Sequence, residues 1–317
     1  MRIKAALLGF LLLTVLYLCA LAWADAQHHV FDGLVPLAAV LPQLLALSLA
    51  TYVARFVRWR WLLARAGHAT PVFTGFLAYL AGFAFTATPG KVGELVRIRY
   101  LAPMGVPAWR VISAFVFERA MDLLVVLALA ALAIPDSRLM AVAAAFVALC
   151  LLLAIALARR PAPLLRLGRA LETQGLRRGA AALRALAQGF AGCAMWLRPI
   201  DLVLSLALGL LAWGGTALGF VRLLHQLGVD TLPPAEALAI YPLSMLAGAA
   251  SMLPGGIGST EATITALLVA SGLPVAVGVL AAVGIRLATL WFAILCGLAS
   301  AVALEARDGA GRSHADA

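Results

Sequence analysis

The sequence predicts an all-α polytopic membrane protein, built as an inverted structural repeat in which two Pro-Gly-broken helical hairpins meet at the bilayer midplane. Three observations predict it. The 317 residues are 64% hydrophobic and only 12% charged, with a mean hydropathy of +1.02, which excludes a soluble core under a charged surface. The apolar residues gather into runs of membrane-spanning length. Two further runs carry the same helix-breaking phrase, "TPGKVGE" at 88–94 and "LPGGIGSTE" at 253–261.

Six segments, 5–24, 37–57, 111–134, 138–158, 200–221 and 274–302, are long enough to cross about 30 Å of hydrocarbon at about 1.5 Å per residue. The first follows Arg2 and Lys4 like a signal peptide, but its run is longer than an ordinary h-region, so an uncleaved helix is expected. The stretches 71–103 and 235–272 are apolar but broken near the middle, and each reads as a hairpin opened at membrane depth. Between them, 159–198 interleaves eight Arg with Leu and Ala. That pattern fits a basic connector with a helix lying on the membrane surface, with a solvated linker as the alternative. The expected organisation is one transmembrane domain over 1–305 and a disordered polar tail over 306–317.

Charge placement sets the expected orientation. The net charge of +10 is not spread as on a nucleic-acid-binding surface. With the N-terminus inside, 19 Lys and Arg fall on the cytoplasmic side, among them Arg55, Arg58 and Arg97, and 2, Arg138 and Arg222, on the other. Both termini are therefore expected to be cytoplasmic. Lys91, Arg119 and Arg286 are left within the membrane. The cluster Tyr52, Phe56, Trp59 and Trp61 reads as an interfacial aromatic belt. Cys19, Cys150, Cys193 and Cys296 have no CxxC spacing, so no disulfide framework and no metal site is expected.

The two phrases belong to a longer repeat. Glu94, Gly105, Pro107 and Arg119 recur 167 residues later as Glu261, Gly272, Pro274 and Arg286. Pro89, Gly90 and Gly93 recur 165 residues later as Pro254, Gly255 and Gly258, so the second copy carries a two-residue insertion. The copies cover about 71–134 and 235–302, and an odd number of crossings separates equivalent points, which makes the repeat inverted. At each break the proline withholds an N–H and the glycine tolerates an open backbone. A half-helix beginning there would present free N–H groups to an anion. Lys91 adds a formal charge to the first break, whereas Gly256 leaves the second with backbone alone. Arg119 and Arg286 are expected near the midplane, facing one cavity, with Glu94 and Glu261 as their partners. A purely structural pairing of these Glu and Arg residues stands as the alternative. "FERAMDLL" adds Glu118 and Asp122, which share a helical face with a turn between them.

"TPGKVGELVR", "FERAMDLL", "LPGGIGSTEA" and "IRLATLWF" closely resemble the lysylphosphatidylglycerol synthase transmembrane, or flippase-like, family, in motif order over roughly 5–302. The resemblance implies lipid translocation, with substrate contacts at Pro89, Gly90, Gly93, Glu94, Arg97, Glu118, Arg119, Asp122, Pro254, Gly255, Gly256, Gly258, Glu261 and Arg286. Ser259 and Thr260 stand where relatives often carry a basic residue, which bears on headgroup charge. Bifunctional relatives continue into a soluble aminoacyl-transferase domain, whereas about fifteen polar residues follow the last span here. The expectation is therefore a flippase moving a phospholipid, a polyprenyl-phosphate-linked glycan or a hopanoid. It is expected to need no cofactor and to have no catalytic residues. A homodimer or envelope-biosynthesis partners are expected rather than nucleic acid. The alternatives are a non-transporting accessory of lipid or envelope assembly, and a membrane-embedded enzyme using Glu94, Glu118, Asp122 or Glu261 as acid or base. No HExxH, Walker or Ser-His pattern supports the latter.

Overall fold

The computed structural model describes residues 34–133 and 137–315, with isolated positions at 15, 19 and 22. The expected span at 5–24 therefore lies largely outside the described residues. Every described element is helical, and the chain is an all-α membrane protein. Among the described residues, three helical stretches, Val35–Arg65, Pro199–Gln226 and Val275–Arg307, are long and apolar enough to cross a membrane by length and composition.

Helix α1, Leu34–Arg65, packs lengthwise on α8, Pro199–Gln226. Between helices in lipid there is little hydrophobic drive, so close approach depends on small residues. Gly209, Gly215 and Gly219 of α8 supply it: a Cβ on Gly219 would sit 3.0 Å from Leu47, and one on Gly215 would sit 3.4 Å from Thr51. A Cβ on Gly209 would sit 3.0 Å from the Arg58 guanidinium. The stripe therefore admits a charged side chain as well as a helix.

The first hairpin begins with α2, Val72–Ala81, which tightens into a 3₁₀ turn at Gly82–Phe85. A second 3₁₀ stretch, Pro89–Val96, leads into the short α3, Arg97–Leu101. Then comes α4, Ala108–Ala130, started by Pro107, and α5, Ser137–Arg159. The Arg-rich connector is a helical hairpin of α6, Ala162–Thr173, and α7, Arg177–Cys193, rather than a solvated linker. It is closed by Arg184–Glu172 at 2.6 Å. Helix α7 packs on α4 through Gly189, where a Cβ would meet Ile112 and Val116 at 3.2 and 3.1 Å.

The second hairpin is α9, Pro234–Ala250, and α10, Ser259–Ala270, with a short 3₁₀ turn at Pro254–Gly256 between them. Helix α11, Val275–Arg286, passes through a π-turn at Leu287–Trp291 into α12, Phe292–Ala315. Helix α12 runs on through Ala315, into the segment expected to be disordered from 306.

Two cores result. One gathers the C-terminal half of α1 with the first hairpin, α4 and part of α12; the other gathers the N-terminal half of α1 with α8, α9, α10 and α11. Between them lies a small apolar seam of Ala84, Leu290, Ile294 and Leu298, joined by Ala87 and Ile257 from the two breaks. The breaks touch there: a Cβ on Gly255 would lie 3.3 Å from the Ala87 Cα. Tyr52, Phe56 and Trp59 are buried in the first core, and Trp61 donates to Asp201 at 2.9 Å. That corrects their reading as an interfacial belt. Their rings face other helices: Tyr52 lies against Phe83 and Phe292, Phe56 against Phe76, and Trp59 against Tyr79. Cys193 is buried and Cys296 half-buried, both as free thiols.

Candidate functional site between the two helix breaks

At the first break Gly90 and Lys91 both adopt left-handed backbone, with φ of 61° and 56°. Glycine does so freely; for lysine it costs on the order of 1–2 kcal/mol. Local bonds hold the turn in place. The Thr88 carbonyl accepts from the Lys91 N–H at 2.9 Å, and the Thr88 hydroxyl accepts from the Gly93 N–H at 2.7 Å. The segment that follows is 3₁₀, in which positions i and i+3 eclipse, so Glu94 and Arg97 project to one side and pair at 3.0 Å. Glu94 also accepts from the Thr86 hydroxyl at 2.9 Å. Arg97 is fully buried; it donates to the Tyr79 carbonyl at 2.9 Å and lies 4.0 Å from the centre of the Tyr79 ring. Gly82 makes the room, since a Cβ there would fall 3.0 Å from the Arg97 Cγ and Cζ.

Behind this break lies a buried ionic network. Asp122 accepts from Arg58 at 2.6 Å and from Arg55 at 3.1 Å, and pairs with Arg119 at 3.1 Å. Glu118 accepts from the Tyr79 hydroxyl at 2.8 Å and from Arg58 at 3.1 Å, with Arg119 and Arg97 at 3.5 and 3.7 Å. Each carboxylate thus serves several guanidiniums. Two expectations are corrected here. Arg55, Arg58 and Arg97 are not solvated flanking cations: Arg58 and Arg97 are buried, and the Arg55 side chain is 12% exposed. Nor is Arg119 the partner of Glu94, because the eclipsed Arg97 takes that carboxylate while Arg119 pairs within α4.

The second break is simpler. Gly255, Gly256 and Gly258 take φ of 63°, 64° and 86°. Helix α10 begins only at Ser259, and its own Glu261 accepts from the Gly258 N–H at 2.8 Å. The other Glu261 oxygen accepts from the Arg286 Nε at 2.9 Å, and the Arg286 Nη2 donates to the Gly255 carbonyl at 2.6 Å. The expected Arg286–Glu261 pair is therefore present. Two backbone donors at the breaks are already occupied, the Gly258 N–H by Glu261 ahead of α10 and the Gly93 N–H by the Thr88 hydroxyl in the 3₁₀ stretch.

Between the breaks is a cavity of about 170 Å³, well above the ~10–15 Å³ that one water needs. Of the residues singled out from the sequence, Gly90, Lys91, Glu94, Arg119, Gly255, Gly256 and Arg286 line it. Arg97, Glu118, Asp122 and Glu261 stand behind the walls, in ion pairs. Pro89, Gly93, Pro254 and Gly258 shape the backbone and do not line it. Arg55 and Trp213 also line it and went unrecognised in the sequence. The Trp213 ring carries Arg55 at 4.8 Å and Lys91 at 6.0 Å from its centre. The lining thus has four cations, Arg55, Lys91, Arg119 and Arg286, against the single carboxylate of Glu94. Among the described residues, no carboxylate lies within salt-bridge distance of Lys91. Three buried polar atoms of the lining, Arg119 Nε, Trp213 Nε1 and Thr260 Oγ1, have no hydrogen-bond partner in the protein. Such a surface accepts an anion: it offers donors and positive charge in a space with few competing acceptors.

Comparison with curated proteins and with solved structures finds no match. The sequence profile described as the lysylphosphatidylglycerol synthase TM region matches residues 5–297, a range holding both breaks, the buried network and all four cavity cations. The chain belongs to the lysylphosphatidylglycerol synthase transmembrane-region family, as a membrane protein linked to lipid biology.

Proposed function

We propose that this chain is a flippase that moves a lipid with an anionic headgroup across a bacterial cytoplasmic membrane, and that it is not an enzyme. The observation that carries this reading is the cavity between the two helix breaks, with four cations and one carboxylate in its lining. Contact between the breaks also supports it, since secondary transporters place their sites where discontinuous helices of two repeats meet. Under this reading the copies at about 71–134 and 235–302 form an inverted repeat, with the Pro-Gly turns at membrane depth. The phosphate enters among Arg55, Lys91 and Arg119, and its acyl chains stay in lipid. Alternating access then passes it between the first break and the Arg286 side.

The orientation follows from the same charges. Moving Arg55, Arg58 and Arg97 into the interior takes three from the 19 cytoplasmic cations, and the resulting 16 to 2 excess still supports cytoplasmic termini. No nucleotide-binding motif is present in the sequence, so the lipid gradient, an ion gradient or a partner supplies any driving force.

The test is lipid movement in vesicles that contain the purified chain, read by chemical quenching of a fluorescent phospholipid. Arg119→Gln removes a cavity cation and is expected to slow movement about tenfold or more, the worth of one charged hydrogen bond, with the protein still inserted and folded. Normal movement by folded Arg119→Gln would overturn the proposal and leave a non-transporting accessory role.

A further inference from the structure

We infer that the anion this cavity takes is a doubly ionised terminal phosphate, as on a phosphomonoester lipid, rather than the singly charged phosphodiester of an ordinary phospholipid. The inference rests on the proposed anionic-lipid site and narrows its substrate class.

The argument is a charge count made on contacts. The connected cluster at the first break holds four guanidiniums, Arg55, Arg58, Arg97 and Arg119, against three carboxylates, Glu94, Glu118 and Asp122. Lys91 faces the same cavity and adds a fifth positive charge. The second break adds nothing, because Arg286 and Glu261 neutralise each other. Empty, this site keeps two positive charges without counter-charge.

The position of the excess matters as much as its size. Arg58 and Arg97 are buried behind the wall, each within 4 Å of two carboxylates. Arg55 and Arg119 are the members left partly open, with side chains 12% and 23% exposed, and both line the cavity with Lys91. These three come from α1, α4 and the first break, so they approach one space from three elements. A terminal phosphate offers three acceptor oxygens and, above its second ionisation near pH ~6, close to two negative charges. A phosphodiester offers two free oxygens and one charge, and would leave one cation unanswered. Trp213 brings two like charges to one ring, with Arg55 at 4.8 Å and Lys91 at 6.0 Å from its centre. That arrangement is costly when the cavity is empty and favourable when a dianion sits between them.

The experiment titrates the full chain in neutral detergent at pH 7, following tryptophan fluorescence. The probes are dihexanoyl phosphatidic acid, dihexanoyl phosphatidylglycerol and inorganic phosphate. Phosphatidic acid is expected to bind about tenfold or more tighter than phosphatidylglycerol, and more tightly than inorganic phosphate. Lys91→Met, which breaks no ion pair, is expected to melt with the wild type while the preference falls to within about threefold. Equal binding of the two lipids overturns the inference and leaves the flippase proposal standing. Inorganic phosphate binding as tightly as phosphatidic acid overturns it in favour of a soluble anion, and no binding by any probe overturns it outright. A retained preference for phosphatidic acid in a chain that moves no lipid keeps the inference and refutes transport.

Discussion

Glu261→Gln changes one atom type, and the geometry of the second break makes that change expensive. One carboxylate oxygen caps Gly258 at 2.8 Å and the other receives Arg286 at 2.9 Å. A glutamine has only one oxygen. If it caps Gly258, its amide group turns donor to donor against Arg286; if it receives Arg286, the amide faces the Gly258 N–H. Arg286 has a side chain only 2% exposed, and stranding a buried guanidinium costs about 3–5 kcal/mol. At roughly 2–4 °C per kcal/mol, the melting temperature in detergent is expected to fall by roughly 6–20 °C. Adding Arg286→Met removes the stranded charge and lets the glutamine oxygen keep its cap. The double variant is therefore expected to recover to within about 1–2 kcal/mol of the wild type, the residue being the lost bond to the Gly255 carbonyl. The coupling from the cycle should reach about 2 kcal/mol or more. A single variant melting within about 2 °C of wild type, or a double variant no better than the single, would refute the assignment of both roles to one carboxylate.

Asp122→Asn leaves Arg58 and Arg119 with Glu118 alone and takes from Arg55 its carboxylate partner, so a loss of about 3–5 kcal/mol is expected, with part of it restored by adding Arg58→Met; melting curves of the two variants check this. Gly297→Ala puts a Cβ 2.7 Å from the Phe83 carbonyl carbon and 2.9 Å from the Ala84 Cα. Backbone cannot rotate away, so about 3 kcal/mol is expected at the upper end of overpacking, measurable as a lowered melting temperature.

Both breaks were legible in the sequence, because proline and glycine in an apolar run leave a helix no regular continuation. Glycine at 90 and 255 does take positive φ. The Arg286–Glu261 pair was legible too, from the matched offset of the repeat. Arg55 and Arg58 were not. A cationic flank after a span and a pair of buried arginines have the same composition, and their carboxylates lie 60 or more residues away on α4. The signal available was local: Arg55 and Arg58 are three apart, on one helical face with the rings of Tyr52 and Trp59, where a solvated flank needs no such order. The same offset of the repeat pairs Glu94 with Arg119, which the structure does not bear out, because the chain after Pro89 is 3₁₀ and brings Arg97 to that carboxylate. In 3₁₀ geometry the i+3 residue eclipses, and Arg97 was already in the motif.

The asymmetry between the breaks bears on how such a site moves. Seven ionised side chains brace the first break from α1, the 3₁₀ stretch, α3 and α4, and a buried network in which Glu118 and Asp122 are each shared by three guanidiniums resists partial rearrangement. The second break is held by one arginine, one glutamate and a carbonyl, around three glycines with positive φ. The π-turn that follows Arg286 shifts the helical register by one residue, and Tyr52 and Tyr241 donate to Thr289 within it, both at 3.2 Å. Extra backbone freedom, few bonds and a register defect coincide on one side of the cavity. Under the flippase reading the two halves therefore divide the labour: the first break holds the charge that selects the lipid, and the second supplies the motion that releases it, because its Arg286 can exchange Glu261 and Gly255 for the passing headgroup without dismantling a network.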